Sequence, residues 1–287
     1  MILGSPDFLP SPWLATTIVV MLDKILHAIA PRYTPRPPSG LDKARGLYLD
    51  LIQRCLINSI YEDPPADPGS SGVYSAAVRE IGSDWPSHGH SMIGARRMFN
   101  LRCLCEYTLE HDVPGDFIET GVWRGGAAIM MRAVLAAYQD TERNIWVADS
   151  FEGLPPPDPQ KYPADAGDIS YTCRELAISL EQVQSNFAKY NLLDAQVRFL
   201  KGWFRDTLPS APIERLAVLR LDGDLYESTM DSLNALYDKV SQGGFVIIDD
   251  FLLPKCRRAV EDFRAARHIR EPIQEIDGSG VFWEIGA

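Results

Sequence analysis

The chain has little that would tie it to zinc, to nucleic acid or to a bilayer. Its five cysteines (Cys55, Cys103, Cys105, Cys173 and Cys256) form no CxxC pair and no zinc spacing. That leaves them as reduced thiols and suggests a cytoplasmic protein. Basic residues are in deficit, with 28 Lys and Arg against 39 Asp and Glu, for a net charge of −11. Phosphate binding needs clustered cations, so the balance argues against nucleic acid and anionic membranes. A neutral or cationic small molecule fits better. No uncharged apolar run approaches the roughly 20 residues of a spanning helix. The nearest, from Trp13 to Ala30, is interrupted by Thr16, Thr17, Asp23, Lys24 and His27. Its apolar positions keep a helical spacing, and it reads as an amphipathic helix packed on the body or on a second subunit. There is no GxGxxG and no internal repeat.

What is present alternates. A proline-rich stretch, 31–38, reads as a stiff linker. Periodic apolar positions predict helices over Leu41–Tyr61 and Met92–His111, with a loop over Glu62–Gly72. Residues 1–114 therefore read as a helical extension and cap, and 115–287 as the core. From Gly115 onward strands are expected at Asp116–Gly121, Asn144–Asp149, Gln196–Leu200, Leu216–Leu221 and Phe245–Ile248. Helices are expected at Gly125–Tyr138, Glu181–Tyr190, Ser228–Val240 and Cys256–His268. Two last strands, Ile273–Ile276 and Val281–Ile285, flank Asp277-Gly-Ser-Gly280 as an antiparallel hairpin. Alternating β and α units imply an α/β fold, a doubly wound, mostly parallel sheet with one antiparallel edge.

Three carboxylates stand at two strand ends: Asp222 after Leu-Arg-Leu, and Asp249 with Asp250 after Phe-Val-Ile-Ile. The carboxyl rim of such a sheet is where ligands bind. Acids converging there repel unless a cation sits among them, and oxygen-only ligands suit Mg²⁺, Mn²⁺ or Ca²⁺. Simple helix capping by Asp222 and Asp249 is the alternative. At the first strand, Glu119-Thr120-Gly121 opens a glycine turn, and Asp149 ends the next strand. A ligand with a ribose and an amino-acid end, such as S-adenosylmethionine, matches both, although a structural glycine and a capping Asp read the same way. His88 and His90 lie in Ser-His-Gly-His-Ser and are weighed as bases against solvated loop residues.

From about Asp84 to Ile285 the chain resembles the macrocin O-methyltransferase family, enzymes that methylate deoxysugar hydroxyls of natural products. The resemblance rests on Asp84-Trp85-Pro86, Ser91-Met92-Ile93-Gly94, Phe117-Ile-Glu-Thr-Gly-Val-Trp-Arg-Gly-Gly126 and Ala148-Asp-Ser-Phe-Glu-Gly-Leu-Pro155. It continues in Val197-Arg-Phe-Leu-Lys-Gly-Trp-Phe204, Leu219-Arg-Leu-Asp-Gly-Asp-Leu-Tyr-Glu-Ser228 and Gly243-Gly-Phe-Val-Ile-Ile-Asp-Asp-Phe251. It implies a class I S-adenosylmethionine-dependent fold, with the cofactor held by Met92, Glu119, Thr120, Gly121, Asp149, Ser150, Gly202 and Trp203. It implies Mg²⁺ on Asp222, Asp249 and Asp250, with Asp222 also taking the proton from the acceptor hydroxyl. Asp224 and Tyr226 lie just beyond the site, to touch substrate or to shape the loop, and the proline-rich stretch 153–168 is expected to act as a lid or a binding loop. A glycosylated small molecule is the expected partner, and a homodimer or larger homo-oligomer the expected assembly. A catechol-like diol is the alternative acceptor, and a non-catalytic binding partner the alternative of another class.

Overall fold

Six consecutive residues, Leu216–Leu221, are buried along their whole length, and two neighbouring strands are buried at four of five positions. Continuous apolar burial of this kind belongs to a sheet covered on both faces. The computed structural model describes residues 40–67 and 69–286, so the helix expected at 13–30 and the linker at 31–38 lie outside the described residues. The parallel strands are β1 (Asp116–Thr120), β2 (Ile145–Asp149), β3 (Val197–Lys201), β4 (Leu216–Leu221) and β5 (Val240–Ile248). The antiparallel hairpin of β6 (Gln274–Glu275) and β7 (Val281–Glu284) extends the sheet beyond β5. The order is β3-β2-β1-β4-β5-β7-β6. Phe117 faces Ile145 on one side and Val218 on the other.

The helices are α1 (Gly40–Leu56), α2 (Ala76–Glu80), α3 (Gly94–Glu110), α4 (Gly126–Tyr138), α5 (Leu180–Lys189), α6 (Phe204–Thr207), α7 (Tyr226–Leu236) and α8 (Pro254–Ala266). α3 packs on α4 and on strands β4 and β5, so the chain before β1 covers the sheet directly. From Leu41 on, the chain packs as one compact unit. Its largest fully buried side chains include Trp283, Phe117 and Phe245, where truncation to alanine costs about 3–5 kcal/mol.

Several boundaries differ from expectation by one to five residues, and three of the differences have a clear local reason. α1 stops at Leu56 because the chain turns through Asn58, at φ 51°. β5 starts at Val240, ahead of Phe245, because Gly244 tolerates a close approach; a Cβ there would lie 2.8 Å from the Ala217 carbonyl oxygen. α7 starts at Tyr226, ahead of Ser228, because its cap comes from elsewhere in the chain. Leu225 offers no side-chain cap, and the Asp165 carboxylate accepts from the Tyr226 and Glu227 N–H groups at 2.7 and 2.9 Å.

Candidate active site

After β1 the chain builds β2 and β3 on one side and then crosses to β4 on the other, which opens a crevice between the ends of β1 and β4. Gly121 makes that crossing tight. Its φ is +86°, and a Cβ there would stand 1.6 Å from the Asp222 carbonyl oxygen. Asp222 N–H donates to the Thr120 carbonyl at 2.8 Å, so the turn after β1 and the end of β4 are one backbone unit.

A cleft of about 400 Å³ lies over this junction. Met92, Glu119, Gly121, Asp149, Ser150, Trp203, Asp222, Asp249 and Asp250 all line it. Two expected residues do not. Thr120 is fully buried, and its hydroxyl accepts from Ser232 at 3.3 Å, so its side chain is turned away from the cleft. Gly202 stands behind the wall, where its N–H holds the Asp149 carbonyl at 2.9 Å. The Asp149 carboxylate also braces the turn, accepting Val122 N–H and Phe151 N–H, each at 2.7 Å. Burial raises its pKa, against the backbone donors.

The three aspartates converge: Asp222, Asp249 and Asp250 each offer an oxygen, and those atoms lie within 4.8 Å of one another. The cluster is built over a buried guanidinium that sequence reading did not single out. Arg220 donates to Glu119 at 2.5 Å, to Asp222 at 2.9 Å and to Asp249. Arg97 of α3 closes on the other Asp249 oxygen and on Asp277. An arginine inside a strand as buried as Leu-Arg-Leu was the available signal, because a buried charge needs a partner.

Two guanidinium groups do not balance this many acids. Burial, then the Asp249 charge, pushes the Asp222 carboxyl up to about 6, against the pull of Arg220. Asp224 rises to about 7 through burial and Asp222. Asp250 is held well above the carboxylate range by burial and then by Asp224 and Asp222. An all-oxygen cluster with surplus negative charge fits a hard divalent cation, and Asp222 and Asp250 each keep an oxygen free of arginine.

Glu119 supplies the corresponding fit for a cationic cofactor. One of its oxygens is paired with Arg220, and the other is buried in the cleft wall with no partner among the described residues. Burial raises Glu119 to about 8 despite Arg220. The ammonium end of an amino acid would satisfy the orphaned oxygen.

The roof of the cleft is pinned by a second buried network. Arg79 donates to Asp84 at 2.8 and 2.9 Å, to Asp63 at 2.9 Å and to the Ile57 and Asp63 carbonyls. Asp63 in turn accepts the backbone N–H groups of His88 and Gly89. Arg124 grips the Pro86 and Gly89 carbonyls from below. This fixes His90 at the cleft, where its Nδ1 lies 2.8 Å from the Tyr190 hydroxyl. Burial, with Lys189 and Arg124 nearby, lowers its pKa to about 4, so it stays neutral. His88 is exposed and lies outside the cleft wall. Along the far rim, Gly153, Leu154, Pro155, Ser170 and Cys173 line the opening. Asp165 fastens this segment to α7, and an Asp168–Lys255 pair fastens it to α8.

Residues 65–285 match the family model described as Macrocin-O-methyltransferase (TylF). The chain belongs to this family. It is 53% identical to the 8-demethyl-8-(2,3-dimethoxy-alpha-L-rhamnosyl)-tetracenomycin-C 4'-O-methyltransferase of Streptomyces olivaceus, over 84% of this chain and 94% of that one. It is 47% identical to the mycinamicin III 3''-O-methyltransferase of Micromonospora griseorubida, over 88% and 99%. Among solved structures, the O-methyltransferase NovP superposes with a TM-score of 0.80 at 48% identity, covering 85% of this chain and all of that one. The chain is therefore a macrocin-type O-methyltransferase with the class I S-adenosylmethionine-dependent fold. Among the described residues no helix is long and apolar enough to cross a membrane.

Proposed function

We propose that this enzyme moves the methyl group of S-adenosylmethionine to a deoxysugar hydroxyl of a glycosylated natural product, with Mg²⁺ held by Asp222, Asp249 and Asp250. The observation that carries the reading is the all-oxygen cluster on the β4 and β5 ends, facing the partnerless Glu119 oxygen on the β1 end. The relatives named for rhamnosyl-tetracenomycin and mycinamicin support the acceptor class.

Glu119 receives the ammonium of the cofactor, while Gly121, Asp149, Ser150, Met92 and Trp203 shape its cavity, and Thr120 and Gly202 support that wall from behind through the Asp222 and Asp149 backbone. When bound, the cation supplies Lewis acidity that makes a sugar hydroxyl easier to deprotonate. Asp222 accepts that proton. A carbon–oxygen bond to the methyl then forms as the carbon–sulfur bond breaks, and the sulfonium leaves as a neutral thioether. Alignment and exclusion of water are the protein's main contributions. One feature favours a second assignment of the proton: Asp222 already accepts from Arg220, whereas no arginine pairs with Asp224 among the described residues. In that version Asp222 only ligates and Asp224 is the base.

The test is labelled methyl transfer to a panel of rhamnosides and catechols, with and without EDTA. Glycoside turnover that is lost in EDTA and restored by Mg²⁺ is expected. Turnover of catechols alone, or full activity in EDTA, would refute the proposal. Asp222→Asn should abolish transfer while cofactor binding stays within a few-fold. If Asp224 is the base, Asp224→Asn abolishes transfer with metal affinity retained. Free cysteines and the exposed Leu41, Leu47 and Leu51 of α1 support a cytoplasmic homo-oligomer, which light scattering on the full chain tests.

A further inference from the structure

Glu227 stands in the same stretch as Asp222, Leu219–Ser228, yet the chemistry above gives it no task. It sits in the first turn of α7 and lines the cleft beside Asp224, Ser228, Asp231 and Trp203. Its side chain is 4% exposed. One carboxylate oxygen accepts from Arg205 at 3.0 Å, and the other is buried with no partner among the described residues. A buried carboxylate oxygen without a donor is costly and calls for an explanation; of the partnerless buried atoms among the described residues, those of Glu119 and Glu227 are the ones on cleft-lining residues.

We propose that this oxygen accepts a hydrogen bond from a second hydroxyl of the acceptor sugar, one that is not methylated, and thereby sets which hydroxyl is presented for transfer. This rests on the glycoside reading above. Arg205 already answers the charge of Glu227, so the free oxygen lacks a hydrogen bond and not a counter-ion. A neutral O–H donor fits that need better than an ammonium. An anionic group is disfavoured by Asp224 and Asp231 alongside. Trp203 and Phe204, which line the same part of the cleft, give an apolar surface for the C–H face of a sugar ring. Because Asp165 caps Glu227's own backbone N–H at 2.9 Å, the residue is fixed between the helix and the lid segment. Its geometry is set before the acceptor arrives, as discrimination requires.

The experiment uses methyl α-L-rhamnopyranoside and its 2-, 3- and 4-deoxy analogues as probes, with the full-length enzyme, S-adenosylmethionine and Mg²⁺. One analogue that still carries the methylated hydroxyl should lose about 10- to 100-fold in kcat/KM with the native enzyme. In Glu227→Ala the parent glycoside should fall to the level of that analogue, so the ratio between them approaches one. KM for S-adenosylmethionine should stay unchanged. Glu227→Gln preserves shape and keeps only a neutral acceptor, so its ratio should fall between the two. A merely structural role would lower the parent and the two analogues that keep the methylated hydroxyl together, and an unchanged ratio in both variants overturns the proposal. No transfer to any rhamnoside by the native enzyme would overturn the acceptor reading, and this subsite with it.

Discussion

Replacing Arg79 with leucine gives the sharpest test of how the cleft is held. The substitution strips Asp63 and Asp84, each with a side chain only 5% exposed, of their shared guanidinium. It also leaves the Ile57 and Asp63 carbonyls without that donor. Breaking a buried pair by removing one partner costs about 3–5 kcal/mol, because the other charge stays desolvated. At about 2–4 °C per kcal/mol for a chain of this order of size, Tm should fall by roughly 6–20 °C. Arg258→Leu is the control: that arginine is 65% exposed and pairs with Asp262 one helical turn away, an arrangement worth about 0.3–0.5 kcal/mol. The triple variant Arg79→Leu, Asp63→Asn, Asp84→Asn should be more stable than Arg79→Leu alone, because neutral amides are cheaper to leave buried. Burial pushes the Asp63 pKa up, but the His88 N–H, Arg79 and the Gly89 N–H outweigh it and hold the folded value below the ordinary 3.8. Its contribution is therefore complete above that value and fades as pH falls through the folded one. The gap between native and Arg79→Leu proteins should narrow below about pH 4. Scanning calorimetry from pH 3 to 7 reads all of this. A loss under about 1 kcal/mol at neutral pH, or a triple variant worse than the single, would refute the reasoning.

Two further outcomes are expected. Gly121→Ala should cost at least 10²-fold in kcat, because its Cβ would push the Asp222 backbone away by well over an ångström; near-native kinetics would mean that the β1 and β4 ends move independently. Glu119→Gln should weaken S-adenosylmethionine by about 10-fold or more in isothermal titration, through loss of a charge-assisted hydrogen bond; unchanged affinity would remove Glu119 from the cofactor's ammonium.

The convergence at the candidate site was legible because its acids stand at strand ends. Asp222, Asp249 and Asp250 follow apolar runs that could only be buried strands, and the structure brings them within 4.8 Å. The parallel sheet and closing hairpin followed from alternation and turn residues in the same way. Side-chain direction was not legible. Thr120 and Gly202 lie next in sequence to cleft residues, yet one hydroxyl turns to Ser232 and the other residue stands behind the wall. Partnerships across long sequence distances were hidden too. Nothing local in Pro-Ala-Asp165 announces that it caps a helix 61 residues on. Neither does the loop at Asp63 announce an arginine 16 residues away.

Arg220 has a consequence for how this enzyme can change. One guanidinium serves carboxylates at the ends of β1, β4 and β5 at once, so replacing Arg220 would leave all three without that donor, whereas replacing one carboxylate leaves the guanidinium two partners. A change at Arg220 would therefore have to be matched at three carboxylates to keep the centre of the crevice balanced. Apolar positions of the cleft wall such as Leu154, Pro155 and Leu176 share no such counter-ion, so a side chain can be exchanged there without unbalancing charged neighbours.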